Sequence, residues 1–184
     1  GVWQPPPGPK TETPQAAQDR ERTSRLKESY FITRGGISIF EKLAALIPMD
    51  ELLADLSEGD EATLGVLDRL TGYMEQRVQY ELAVGADAVA FGDDWGFQDR
   101  TAVSLDLFRR VFRPRYERLF APVKRAGKSI NFHSCGLLGP IFDELVDLGI
   151  DVSWHQANRV DAETFAQKCK AKGVSSWLHP DRQH

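Results

Sequence analysis

Several absences narrow this sequence before any motif is read. It has two cysteines in 184 residues, Cys135 and Cys169, too few for a disulfide framework. A reducing compartment, the cytoplasm, is therefore expected. No apolar run approaches the roughly 20 residues of a membrane span, and the N-terminus lacks the apolar centre of a secretory signal. A membrane partner is not expected. Lysines and arginines are scattered, the net charge is -4, and no basic stripe interleaves with aromatics, which argues against nucleic acid. A glycine-rich phosphate loop is also missing. Gly35-Gly36 stands alone, and "GDDWG" (92–96) places carboxylates where a phosphate would need donors.

What remains is an ordinary globular composition, 41% hydrophobic. Residues 1–25, "GVWQPPPGPKTETPQAAQDRERTSR", are proline-rich and polar and read as a linker or partly disordered arm. From residue 26 the pattern is that of one domain. "SYFIT" (29–33) is a strand candidate ended by Gly35-Gly36, and "SIFEKLAALI" (38–47) has helical spacing up to Pro48. Residues 60–84 form the clearest helix. Leu64, Leu67, Leu70, Met74, Val78 and Leu82 recur every three or four positions, and Asp60 suits the N-cap.

A unit then repeats: a helix closes on glycine and an apolar strand follows at once. It reads "AVGADAVAFGDD", "RAGKSINFHS", "DLGIDVSWHQ" and "AKGVSSWLHP", with Gly85, Gly127, Gly149 and Gly173 at the junctions. Helices are predicted over 104–126, with kinks at Pro114 and Pro122, and over 137–148 and 161–172. Alternating strands and helices mean a parallel α/β sheet. Each strand starts apolar and ends polar: Asp93-Asp94, His133-Ser134-Cys135, His155-Gln156 and His179-Pro180-Asp181. Parallel α/β folds bind ligands at the carboxyl ends of their strands, so these clusters are expected on one rim. The repeat fits part of a (β/α)8 TIM barrel. A whole barrel takes roughly 250 residues. The chain opens on Gly1 and stops at "HPDRQH", so a partial barrel over 26–184 is expected, with open sheet edges prone to self-association.

The chemistry gathers at two places. His133 and Cys135 are two apart on a strand and share a face, so imidazole and thiolate can meet one zinc ion. A further ligand is needed, and Asp94, His155, His179 or a residue after 184 could supply it. Two other readings stay open: Cys135 as a nucleophile with His133 as its base, or a plain polar strand end. In "FGDDWGFQD", Asp93 and Asp94 alternate faces, so one of them points to the centre. Asp94 is the candidate acid or base, and Asp93 a candidate anchor for a cationic substrate. Trp95 and Phe97 offer apolar walls and Gln98 a neutral hydrogen-bonding group. His155 and His179 are candidate substrate contacts. Cys169 lies in an amphipathic helix and reads as structural.

Residues 30–184 resemble the uroporphyrinogen decarboxylase superfamily, most closely its corrinoid-linked methyltransferase branch. The ordered features are a helix, "GAD", a strand, "GDDWG", a serine before a long helix with an early proline, "KRAG", and a strand closing in "HSCG". The resemblance implies a (β/α)8 barrel with its site at the carboxyl-end mouth. It implies zinc on His133 and Cys135 together with a later cysteine, which would fall after His184. It also implies methyl transfer between a corrinoid, carried on a partner protein, and a small-molecule acceptor: a thiol such as coenzyme M, or tetrahydrofolate. The decarboxylase's N-terminal arginine-rich motif is not found. A metal-free decarboxylase or lyase, and a non-catalytic ligand-binding barrel fragment, are the competing expectations.

Overall fold

A computed structural model describes residues 3–156 and 162–179. Five parallel strands form one sheet in sequential order. They are β1 (Thr33–Ile37), β2 (Ala88–Gly92), β3 (Ser129–Ser134), β4 (Val152–Gln156) and β5 (Ser175–His179). Each strand pairs with the next in sequence, with no reversal of order. A doubly wound sheet reverses at a switch point. This sheet does not, so it is a length of (β/α)8 barrel wall.

The helices follow the same arithmetic. Helix α1 spans Pro14–Lys27, α2 Phe40–Ala44, α3 Met49–Glu58 and α4 Glu61–Ala83. After β2 come a single turn, α5 (Leu105–Leu107), a π-helical turn at Phe108–Phe112, and α6 (Arg113–Arg125); α7 (Ile141–Leu148) and α8 (Ala162–Ala171) follow β3 and β4. Asp60 caps α4 by accepting from the Thr63 amide at 2.8 Å. The buried stripe of α4 is Leu67, Leu70, Met74 and Val78, while Leu64 and Leu82 are partly buried at its margins. The junction glycines 85, 127, 149 and 173 all have positive φ, which turns each helix straight into a strand. Between sheet and helices lies the core, with Phe91 and Phe132 of the sheet against Phe120 and Tyr116 of α6.

Three elements differ from the sequence expectation. The N-terminal segment is not a bare arm: Thr13 caps α1 and Pro14 starts it, where a missing N–H costs nothing. Arg20 donates to the Ala83 carbonyl at 3.1 Å, Lys27 pairs with Asp87 at 2.7 Å, and Arg69 donates to the Trp3 carbonyl at 2.9 Å. These bonds hold the segment along α4. The first strand is "TRGGI" rather than "SYFIT", and Tyr30 and Phe31 are exposed. Glycine sits inside the strand because β1 runs very close to β2. A Cβ on Gly35 would stand 2.6 Å from the Ala90 carbonyl oxygen. Finally, the helix expected over 104–126 is interrupted. Pro114 has no N–H to close the α-helical bond to the carbonyl four residues earlier, and the π turn lies just before it.

Candidate metal centre

Register decides which side chains share the inner face of the sheet. Gly92, His133, Trp154 and Trp177 stand side by side across β2, β3, β4 and β5. The His133 ring lies 4.6 Å from that of Trp154, which stacks on Trp177 at 4.7 Å and 14°. His133 Nδ1 is 3.1 Å from the Trp154 carbonyl oxygen. A carbonyl only accepts, so Nδ1 carries a proton, and Nε2 is the ring nitrogen left to face the mouth.

Three donors meet there. Cys135 Sγ lies 3.3 Å from His133 Nε2, and Asp94 Oδ1 lies 3.8 Å from the same nitrogen. All three ligand atoms lie within 4.8 Å of one another, and all three residues are half-buried. The Cys135 amide donates to Asp94 Oδ1 at 2.7 Å, which fixes the carboxylate against the β3 loop. Donors bonded tetrahedrally to one zinc at about 2.0–2.3 Å sit about 3.5 Å apart. The nitrogen, sulfur and oxygen here are the right kinds of atom near that spacing. A metal-binding imidazole usually donates its other ring N–H to a carbonyl or carboxylate, as His133 Nδ1 does to Trp154. The residues therefore fit a zinc ion.

The two loops that bring these donors together touch through their backbones. A Cβ on Gly96 would lie 2.2 Å from the Leu137 nitrogen, and one on Gly136 would lie 2.1 Å from the Gly96 oxygen. Two side-chain-free residues let the loops cross. Leu137 N–H then donates to the Phe97 carbonyl at 2.9 Å, and Trp95 N–H to Ser134 Oγ at 3.0 Å.

The adjacent aspartates part as strand alternation requires. Asp93 is fully buried toward the helix layer. It accepts from Ser38 Oγ at 2.7 Å, from the Ile39 and Glu41 amides at 3.0 and 2.8 Å, and from the Tyr116 hydroxyl. Burial pushes its carboxyl up, against the pull of those hydrogen bonds. The Tyr116 hydroxyl is raised well above the ordinary phenol range, by burial and then by Asp93. Asp93 was expected to contact substrate; its oxygens are instead consumed inside the protein. Trp95 is likewise no wall of the mouth. It is fully buried and packed against Phe40, Phe108 and Phe112. His155 is buried on the opposite face of β4 from Trp154, stacked on Phe165 of α8 at 4.7 Å. That places it away from Asp94 and His133. Gln98 is exposed on the loop after β2. His179 ends β5 in register with Gln156, and its side chain lies outside the described residues. Cys169 is buried in the core, where burial raises its thiol pKa.

One residue was missed by sequence reasoning. Glu41, in the first turn of α2, shares an open cleft of about 500 Å³ with Asp94, Phe40, Met49, Gly96 and Phe97. Burial raises its carboxyl pKa, and the charges of Asp94 and Asp93 raise it further. The available signal was its place, directly after the first strand, where ligand-binding loops of a barrel begin.

Comparison with known proteins agrees with this architecture. A comparison with curated proteins finds no match. Among solved structures, the chain is similar to a methyltransferase from Methanosarcina mazei, with a TM-score of 0.67 and 16% sequence identity. The match covers 92% of this chain and 50% of that one, so this chain spans half the length of its structural relative. At that identity the likeness is one of fold, a (β/α)8 barrel. The sequence pattern of uroporphyrinogen decarboxylase (URO-D) matches residues 27–175, which take in β1 to β4, the Asp94, His133 and Cys135 group and the glycine crossing beneath it. The chain belongs to the uroporphyrinogen decarboxylase (URO-D) family.

Proposed function

We propose that this chain carries the metal-holding part of a zinc-dependent, methyltransferase-like active site, working on a small-molecule acceptor with a corrinoid as methyl carrier. The observation that supports it is the convergence of Asp94, His133 and Cys135 on one point of the barrel mouth. His133 would hold zinc through Nε2, Cys135 through its thiolate, and Asp94 through a carboxylate oxygen. Bound there, zinc would supply Lewis acidity that lowers the pKa of an acceptor thiol. The protein's own part is to orient. The Trp154 carbonyl fixes the imidazole tautomer, and the Cys135 amide holds the carboxylate. The indole pair, Trp154 on Trp177, backs His133 with apolar surface. Neither Cys135 nor Cys169 is in a disulfide, which suits a reducing cytoplasm.

The Glu41–Asp94 pair favours a second reading, a metal-free decarboxylase or lyase. Glu41 is held toward its protonated form beside an acidic neighbour, which is the division of labour that acid–base catalysis by two carboxyls needs. Zinc separates the two readings. In full-length, untagged protein, mass spectrometry is expected to find about one zinc per chain. The metal should be lost in His133→Ala and Cys135→Ser and weakened in Asp94→Asn. A folded wild-type protein without zinc would sink the first reading and leave the second.

A further inference from the structure

The cleft beside the metal centre has a lining that selects by charge. Helix α2 and the start of α3 form one wall, with Phe40, Glu41, Ala44, Ala45 and Met49, and the loop after β2 forms the other. Among the described residues, the charged side chains that line it are the carboxylates of Glu41 and Asp94, and none is basic. The nearby bases have other places. Lys42 lines a separate groove with Arg77, and from there its charge still draws the Glu41 carboxyl pKa down. Arg100 is exposed, pairs with Asp99 at 3.3 Å and lies over the Phe97 ring at 5.3 Å.

We infer that this cleft binds a small alkylated cation, an ammonium or sulfonium whose charge is sheathed in methyl groups. The inference builds on the reading of the barrel mouth as the substrate site. Charge comes first: two like charges facing one cavity repel, and a cation between them relieves the repulsion. Texture decides which cation. A bare ammonium or metal ion needs several directed oxygen acceptors. Beyond the carboxylates this cleft offers Ala44, Ala45 and Ala102 methyls, the Met49 thioether and the Phe97 ring. Those are partners for methyl groups that carry a spread positive charge. Phe97 is 41% exposed, and its ring already attracts one cation, the Arg100 guanidinium. Volume agrees, since about 500 Å³ lies within the range of small-molecule sites. Asp94 is shared with the metal centre, so Glu41 is the anchor that the cleft keeps for itself.

Titration of the full-length protein with tetramethylammonium, followed by NMR or calorimetry, tests this. Saturable binding is expected both with and without zinc. Glu41→Gln should weaken it about threefold to tenfold, and Phe97→Ala about threefold. Neopentyl alcohol, of similar shape and no charge, should bind at least about tenfold more weakly. Glu41 gives its backbone amide to Asp93 and its carboxylate interacts with Ser38, a contact that the isosteric glutamine can keep, and Phe97 is a surface ring, so both variants are expected to fold. Should Glu41→Gln unfold, Phe97→Ala and the neutral isostere still decide the matter. No saturable binding would overturn the inference, as would equal binding of the neutral isostere or an unchanged affinity in folded Glu41→Gln. Because His133→Ala removes zinc without touching Glu41, loss of metal in that variant and loss of onium binding in Glu41→Gln fail separately.

Discussion

The glycine crossing makes the sharpest test of how the centre is built. Gly96 is not among the glycines with positive φ, so its backbone conformation suits any residue. Only space excludes a side chain. A Cβ there would stand 2.2 Å from the Leu137 nitrogen and 2.5 Å from the Gly136 carbonyl carbon. Ordinary carbon contacts begin near about 3.5 Å, so Gly96→Ala overlaps by roughly 1 Å. The obstacle is backbone, and no rotamer change relieves it. The loop carrying Cys135 must move away from the loop carrying Asp94 by a similar amount. Metal sites hold their bond lengths to about 0.2 Å, so a displacement several times larger must break the donor set or strain the loops.

Gly96→Ala is therefore expected to cost about 2–4 kcal/mol of stability and to lower zinc affinity by at least about tenfold. Urea denaturation and a competitive chelator titration measure the two effects. The control is Gly59→Ala. Gly59 has φ of 77° at the end of α3, and a Cβ there meets nothing within 4 Å. It isolates the left-handed strain, about 1 kcal/mol, and should leave zinc untouched. A Gly96→Ala protein with wild-type zinc affinity would refute the crossing as the device that assembles the centre.

The buried acids give two further expectations. Asp93→Asn places an amide donor against two backbone N–H groups and two hydroxyls. It should cost about 2–4 kcal/mol, while Tyr116→Phe, which removes one donor of four, should cost about 1–2 kcal/mol; equal losses in denaturation curves would contradict the shared-clamp account. Glu144 is held below the ordinary carboxyl range by Arg109 and then Arg113, at 2.6 Å each. Its folded pKa lies below its unfolded one, so its stabilisation is complete above about pH 4.3 and is lost as pH falls through the folded value. Glu144→Gln should cost about 1–2 kcal/mol at neutral pH and flatten the acid limb of the stability curve. An unchanged acid limb would refute the assignment.

The order of elements was legible because a physical rule repeats. Glycine ends a helix, an apolar strand follows, and the strand closes on polar residues. The position of "HSC" at a strand end and the parting of Asp93 from Asp94 follow from the same period-two logic. Which aspartate faces the mouth does not, because parity needs the strand's registration against its neighbours. His155 shows this. It is as polar as His133 and as close to a strand end, yet His133 pairs with Trp154, so His155 must face the helices. The first strand was misplaced for a different reason. β-Propensity favours "SYFIT" over "TRGGI", but the close approach of β1 to β2 admits only glycine at position 35. The docking of α1 was hidden because its anchors, Asp19 to Tyr80 and Lys27 to Asp87, lie more than fifty residues apart and are polar.

The pair of aspartates also explains how a centre built on loops is held in place. Asp93 ties three elements into one clamp: the start of α2 through Ser38, Ile39 and Glu41, the end of β2 through its own backbone, and α6 through Tyr116. Burying that carboxylate is unfavourable, as its raised pKa shows. A core apolar residue at the same place would pack, but it could not gather four donors from two directions. The expense sets the position of the next residue. With Asp93 fixed, Asp94 has little freedom, and its oxygen meets both the Cys135 amide and the His133 imidazole. Glu41 is fixed by the same carboxylate, from the other wall of the cleft. One buried charge thus sets the spacing of two acidic side chains, so disturbance of Asp93 should move metal affinity and cation binding together, whereas Glu41→Gln should move the second far more than the first.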